Sequence, residues 1–338
     1  MTEASLGVAS STSGLDHGST LAASTHGALP LPGYIRLAVA LRAHRDARLP
    51  GWTGSLLHGA LGHALRRVDD VESFEQSSSY RAWMEAREAS SLDVAGLRPA
   101  PALVLCPPRV ASPTRNVGLG EVLEFDLVAL RRGPTEVASL LEALARIGEC
   151  GLGADHVRFD TVAIRCGGVE LLSAGQLVDL PAIERADPAS AVPVAPIGLT
   201  LSLNTPTTLR REGTLLQAPH LVDLVLASAR RLASVGATWG EGSPIPHLGD
   251  LAERAAAPWA VSEEVWRCFD ARRWSSRQQR RHAVSGVMGH ARYRPSSQAD
   301  ATEASLAPRL LYRAAVVGIG KGTSLGLGAF TVFADSET

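Results

Sequence analysis

The order of apolar periods between Tyr34 and Ile164 constrains this chain more than any other feature. Ile35, Leu37, Val39 and Leu41 alternate, which predicts a strand. After the breaker Leu49-Pro50-Gly51, the residues Leu57, Ala60, Leu61, Ala64, Leu65 and Val68 recur at threes and fours and form one apolar helix face. Val104-Leu105 and Val122 to Leu130 read as strands, Glu136 to Ile147 as a second amphipathic helix, and Val157 to Ile164 as a strand. That β-α-β-β-α-β order is the ferredoxin-like, or RRM-like, unit. A weaker copy follows. Ile197 to Leu203 alternates, Leu221 to Val235 is helical, and Val284 to Tyr293 reads as a strand pair. Leu306, Leu310, Leu311, Ala314 and Ala315 mark a helix, and Ala329 to Phe333 a last strand. The expected fold class is therefore α+β: two tandem ferredoxin-like (βαββαβ) domains at 33–166 and 197–338. An Ala-, Pro- and Gly-rich linker at 167–196 joins them, and a glycine-rich loop lies at 318–328.

Residues 1–32 are Ser, Thr, Ala and Gly without a hydrophobic period and read as a disordered tail. They lack the basic start and apolar run of a secretory leader. No apolar run reaches the roughly 18 residues that would span a bilayer, so no membrane partner is expected. Cys106, Cys150, Cys166 and Cys268 sit in or beside apolar stretches with no CxxC spacing. They read as buried free thiols of a reducing cytoplasm, with no metal site and no cofactor expected.

The net charge of −1 hides an asymmetry. Lys321 is the sole lysine, and from Ala271 to Pro295 there are seven arginines and no acid. A neutral chain with one concentrated basic segment still suits a polyanion.

Three constellations carry candidate chemistry. In the first, Gly318, Gly320, Gly322, Gly326 and Gly328 surround Lys321, Thr323 and Ser324. Glycines let backbone N–H groups approach a ligand, and successive N–H groups form anion nests. A P-loop would need Ser or Thr directly after the lysine and a helix after the loop; here Gly322 follows Lys321 and a strand follows the loop. The second lies on the first helix. Ser55, Gly59, Gly62 and Arg66 share the face opposite the leucines, with His58 and His63 at its borders, about 140° apart at about 100° per residue. Histidine is the usual general base near neutral pH, and as imidazolium it protonates a leaving oxygen. A spacing of five does not suit a helical metal pair, which uses i and i+4. The third runs Arg272, Arg273, Trp274, Arg277, Arg280, Arg281 and His282, guanidinium forks for phosphate beside an indole that stacks on a base.

Together these segments resemble the CRISPR-associated endoribonucleases of the RAMP superfamily, which cut precursor CRISPR RNA within its repeats. The 318–328 loop, entered from Leu310-Leu-Tyr-Arg and left through Phe330-Thr-Val-Phe, is similar to that family's glycine-rich loop. Residues 274–293 (WSSRQ…GVMGHARY) look like its central segment. Pro206 with Leu209, then Ala229-Arg-Arg-Leu232, resembles the start of its second half, and Cys150-Gly-Leu-Gly153 the end of its first.

The resemblance implies two domains gripping a repeat hairpin or single strand, and cleavage without metal. The ribose 2′-OH attacks the adjacent phosphate to leave a 2′,3′-cyclic phosphate and a 5′-OH. It implies a catalytic histidine in or just after the first helix, His58 first and His63 second. Arg66, Arg67, Arg272, Arg273, Arg277, Arg280, Arg281 and the loop around Lys321 would hold CRISPR repeat RNA, and other CRISPR effector subunits would be partners. Many relatives carry cysteines after the first helix, and here Val71 to Tyr80 has none. Two alternatives stand beside cleavage: a non-cleaving crRNA-binding subunit of an effector or transposon-targeting complex, and a structural subunit that touches only protein.

Overall fold

The computed structural model describes residues 29–85, 97–131, 133–173, 176–179, 181–240, 247–275, 280–296 and 300–336. In order, the first half contains β1 (Ile35–Ala43), β2 (Ala47–Pro50), α1 (Gly54–Val68) and α2 (Ser78–Met84). Then come β3 (Leu103–Cys106), β4 (Thr114–Val117), β5 (Val122–Ala129), α3 (Pro134–Ala145) and β6 (Phe159–Cys166). Its sheet runs β3-β5-β1-β6 and closes with the two-residue β7 (Val169–Glu170). Numbering the four main strands by chain order, this is 2-3-1-4, the ferredoxin-like arrangement. The alternation in β1 sets its register: Leu37, Val39 and Leu41 are buried against α1 and α3, and Ile35 lies opposite Ala129. Leu57, Leu61, Ala64 and Leu65 of α1 enter the same core, as the sequence period requires.

The connection continues through β8 (Leu172–Ser173) and β9 (Gln176–Leu177). It is not a free tether. Leu171 and Leu172 join the first core, and the Tyr34 and Glu184 backbones pair at 3.0 and 2.7 Å. The Asp187 carboxylate receives both Nε and Nη2 of the buried Arg313, at 2.9 and 2.5 Å. This guanidinium holds the Asp187 carboxyl below its ordinary range.

The second half repeats the topology with β10 (Gly198–Thr207), a hairpin of β11 (Arg210–Arg211) and β12 (Thr214–Leu215), α4 (Leu221–Trp239) and α5 (Leu248–Ala256). The long pair β13 (Trp259–Ser275) and β14 (Arg280–Pro295) follows, then α6 (Ala301–Ala304), α7 (Leu306–Val317) and β15 (Phe330–Asp335). The sheet runs β13-β14-β10-β15, again 2-3-1-4. The 284–293 segment expected as a strand pair is one strand, β14, and its partner is β13, which the sequence pattern did not reveal. β13 is an edge strand, and most of its residues from Ala260 to Asp270 are exposed, so it shows no two-residue period.

The domains share surfaces. Ala100, Val104, Val128 and Leu130 of the first half are buried in the core around α4, and Trp239 donates to the Ala100 carbonyl at 3.0 Å. A third, smaller cluster joins Trp52 and Val110 to Val284, Met288 and Leu327. The expected tail of residues 1–32 falls outside the described residues up to 28. Leu29 is buried in the second core with Leu31 packed against it, so the described chain is anchored before Tyr34. Of the cysteines, Cys166 is buried, whereas Cys268 on the β13 edge is exposed, against expectation.

Candidate functional site

The loop from Gly318 to Gly328 has five glycines and needs all of them. Gly318, Gly320, Gly322, Gly326 and Gly328 have φ of 67°, 75°, 84°, 74° and 72°, the left-handed region that a Cβ disfavours. Its base is closed by the loop's own backbone. Ile319 N–H donates to Gly328 O at 3.0 Å, Leu325 and Leu327 N–H to Gly322 O at 2.9 and 3.2 Å, and Gly328 N–H to Pro206 O at 3.1 Å. The tip is different. Among the described residues, the N–H groups of Gly320, Lys321, Gly322, Thr323 and Ser324 have no acceptor. Such a run of free donors, interleaved with left-handed glycines and led by the exposed Lys321, suits an anion. The Thr323 hydroxyl is buried without a partner at the same place.

This loop lies on the amino-terminal end of α1. Trp52 Nε1 donates to Gly326 O at 3.4 Å, and a Cβ on Gly326 would stand 2.7 Å from Pro107 Cδ and 3.2 Å from Gly54 Cα. One turn along from Gly54 is His58, partly buried. Burial, and then the guanidinium of Arg273, push its imidazole down to about 4, so at neutral pH it is an uncharged acceptor. Arg273 comes from β13, opposite His282 of β14. The structure thus brings three expected elements together: His58 of the first domain, and Arg273 and the glycine-rich loop of the second.

The remaining expected residues go elsewhere. His63 stacks edge-on against Phe74 with ring centroids 5.2 Å apart; burial, then Arg66 and Arg67, lower its pKa. Arg66 lies over the same Phe74 ring at 5.3 Å and donates to the Glu72 carbonyl. Arg67 pairs with Glu149 at 3.3 Å. The smooth face expected around Gly62 is covered: a Cβ there would meet Tyr80 at 3.1 Å. The reason is α2, a helix too short to show a period, whose Tyr80 and Trp83 are buried against α1 and α3. Arg272 is exposed on β13. Arg280 and Arg281 lie on β14 opposite Ser275 and Trp274, and Arg277 lies outside the described residues. Among the described residues no three His, Cys, Asp or Glu side chains gather as a metal site, and no helix is long and apolar enough to cross a membrane.

Two family models match the chain. One, described as an N-terminal domain, covers residues 29–181; the other, CRISPR-associated endoribonuclease Cas6, covers 201–330. Over residues 201–330 the chain is thus similar to the CRISPR-associated endoribonucleases of the Cas6 family. No curated protein matches it. Among solved structures it is similar to Thermus thermophilus Cas6 (TTHB231): a product complex of TTHB231 has TM-score 0.54 and 18% identity over 89% of this chain and 100% of that one. The Cas6-RT-Cas1–Cas2 complex gives TM-score 0.56 and 13% identity over 90% of this chain and 29% of that one. Those likenesses carry the fold, tandem ferredoxin-like domains. The Cas6 match takes in the loop to Gly328, whereas His58 lies in the separately matched first segment, so the candidate site draws on both.

The sequence assigned no role to two residues that hold backbone carbonyls around these elements. Trp52 was legible only as part of the helix entry, and Arg267, which donates to the Val110 carbonyl at 3.0 Å, lies on the unread strand. An apolar residue beside Pro50-Gly51 was the only signal for the first.

Proposed function

We propose that the chain cuts CRISPR repeat RNA by in-line attack of a ribose 2′-OH, with His58 as the proton-transferring group and no metal. The observation that supports this reading above the others is the placement of a neutral, partly buried imidazole beside Arg273 and below a loop with five free amides. The backbone phosphate enters between them. His58 accepts the 2′-OH proton, the 2′-oxygen bonds to phosphorus, and the P–O5′ bond breaks. A cyclic phosphate remains, and O5′ leaves as a hydroxyl after taking a proton from the imidazolium or water. The free amides and Arg273 balance the extra negative charge of the phosphorane. A bound phosphate also raises the His58 pKa, because an opposite charge within a few ångströms favours imidazolium. That brings a weak base back toward the working range. The two domains, 33–166 and 197–338, act as the two walls of the groove, and the product is held for other CRISPR subunits.

A second reading has one observation in its favour. An imidazole held at about 4 is a poor base unless RNA lifts it, and a chain in which that lift fails would bind repeat RNA without cutting it. Incubation of the purified protein with repeat RNA, with product ends resolved on a gel, separates the two. Cyclic-phosphate products that persist in excess EDTA and vanish in His58→Ala, with repeat binding retained, are expected. Products formed equally by His58→Ala and His63→Ala would discard the site.

A further inference from the structure

Gly54 is the first residue of α1, and it is buried. A Cβ built on it would stand 2.2 Å from the Leu325 carbonyl oxygen, 3.1 Å from Leu325 C and 2.7 Å from Trp52 Nε1. Two of those three atoms are backbone of the glycine-rich loop, which cannot swing aside as a flexible side-chain end can. From the other side, a Cβ built on Gly326 would stand 3.2 Å from Gly54 Cα and 2.7 Å from Pro107 Cδ. The two domains therefore meet here main chain to main chain, and the Trp52 indole locks the meeting through Gly326 O. By contrast, Gly59 on the same helix has open space where its Cβ would be.

We infer that Gly54 is a positioning residue: the Gly54–Gly326 seam sets the distance between His58 and the free amides of the loop. Position i+4 on a helix is offset by only about 40° from position i, so His58 shares the face that carries the seam. Any side chain at 54 must push the loop away from that face while leaving the loop's internal hydrogen bonds and the imidazole itself intact. Both halves of the groove survive; their spacing does not. A displacement of about 1 Å is enough to cost chemistry on the order of 10²-fold while binding energy, spread over the whole groove, changes little. This inference rests on the proposed reading of His58.

The test compares Gly54→Ala with Gly59→Ala and His58→Ala in single-turnover cleavage and in repeat-RNA binding. At saturating RNA, Gly54→Ala should cut at least about 10-fold more slowly, with Kd changed less than about 3-fold. Gly59→Ala should cut as the parent does. The His58 imidazole of Gly54→Ala, followed by NMR without RNA, should titrate well above 4, because moving the seam opens it to water; that readout holds even for a chain that does not cut. Parent-like cutting by Gly54→Ala beside inactive His58→Ala, an unmoved titration, or a Kd that rises in step with the lost rate would overturn the seam. Full-speed cutting by His58→Ala would instead overturn the imidazole assignment. If Gly54→Ala does not fold, Trp52→Phe decides. It removes the bond to Gly326 without adding atoms, and should slow cutting by about 3-fold at constant Kd; parent-like rates would overturn the proposal.

Discussion

In the first domain the chain passes from α3 to β6 through residues 146–158; in the second it passes from α7 to β15 through 318–329. These are the same connection in two copies of one topology, and both turn on left-handed glycines, Gly151 and Gly153 in the first and five in the second. The first is bridged across its middle, and its longest run of amides without an acceptor among the described residues is three, Gly153 to Asp155. Leu152 and Val157 exchange both backbone hydrogen bonds at 2.7 and 3.0 Å, and Gly151 N–H closes on Gly148 O at 3.1 Å. Its side chain of note is an acid, Glu149, which pairs with Arg67 and Arg146. The second is open at its tip, where five consecutive amides without an acceptor among the described residues include that of a lysine. A repeated fold supplies a repeated position, and the chemistry at that position is decided by which backbone donors the local turn consumes.

The sharpest way to break this contrast is at the imidazole one helical turn from the loop's contact with α1. His58→Ala should lower single-turnover cleavage by about 10²- to 10⁴-fold. His63→Ala, whose ring belongs to the Phe74 cluster, should change it less than about 3-fold in the same assay. Next in size are the turns themselves. Gly320→Ala and Gly322→Ala force an L side chain into a positive φ, the first against the Thr208 carbonyl oxygen at 2.6 Å, and should both weaken repeat RNA about 10-fold in a filter-binding titration and lower the melting temperature. Gly151→Ala should lower the melting temperature alone, since its Cβ would meet the His156 backbone at 2.4 Å, while the folded protein keeps its RNA affinity.

The pH profile sharpens the electrostatic side. A histidine whose folded pKa is lowered from 6.5 to about 4 is neutral while the unfolded chain takes up a proton, so His58 opposes folding increasingly as pH falls from 6.5 toward 4. The kcat/KM of the free enzyme should therefore stay level from pH 7 to about 5 and fall below that. Arg273→Ala should move the falling limb to higher pH, because one of the two causes of the depression is gone. The smallest effects are expected at exposed charges. Lys321→Ala should reduce the slope of log Kd against log salt by about one contact. Glu149→Ala, which breaks only exposed pairs, should cost no more than about 1 kcal/mol in a denaturant melt and leave RNA binding unchanged.

How far the sequence carried can be judged from particular elements. β1, α1, β5 and α3 were legible because each has one face in a core and one in water, so the period survives in the residues. β13 was not, because an edge strand with exposed residues on both faces leaves no alternation. α2 was not, because seven residues hold too few turns. The glycine-rich loop announced itself by composition, since left-handed φ selects one residue type. What no pattern could announce was that Gly62 is covered by Tyr80, or that Gly54 touches Leu325: those are meetings of segments remote in sequence, and a single chain carries no local trace of them.

The strap between the domains has a consequence of its own. A crossover pinned at Tyr34–Glu184 and again at Asp187–Arg313 leaves no slack for the halves to swing apart, and α4 is shared by both cores. On the proposed reading, an RNA held between the halves meets a spacing that is settled beforehand. On that reading, strands or stems of the wrong girth are excluded rather than accommodated by an opening motion.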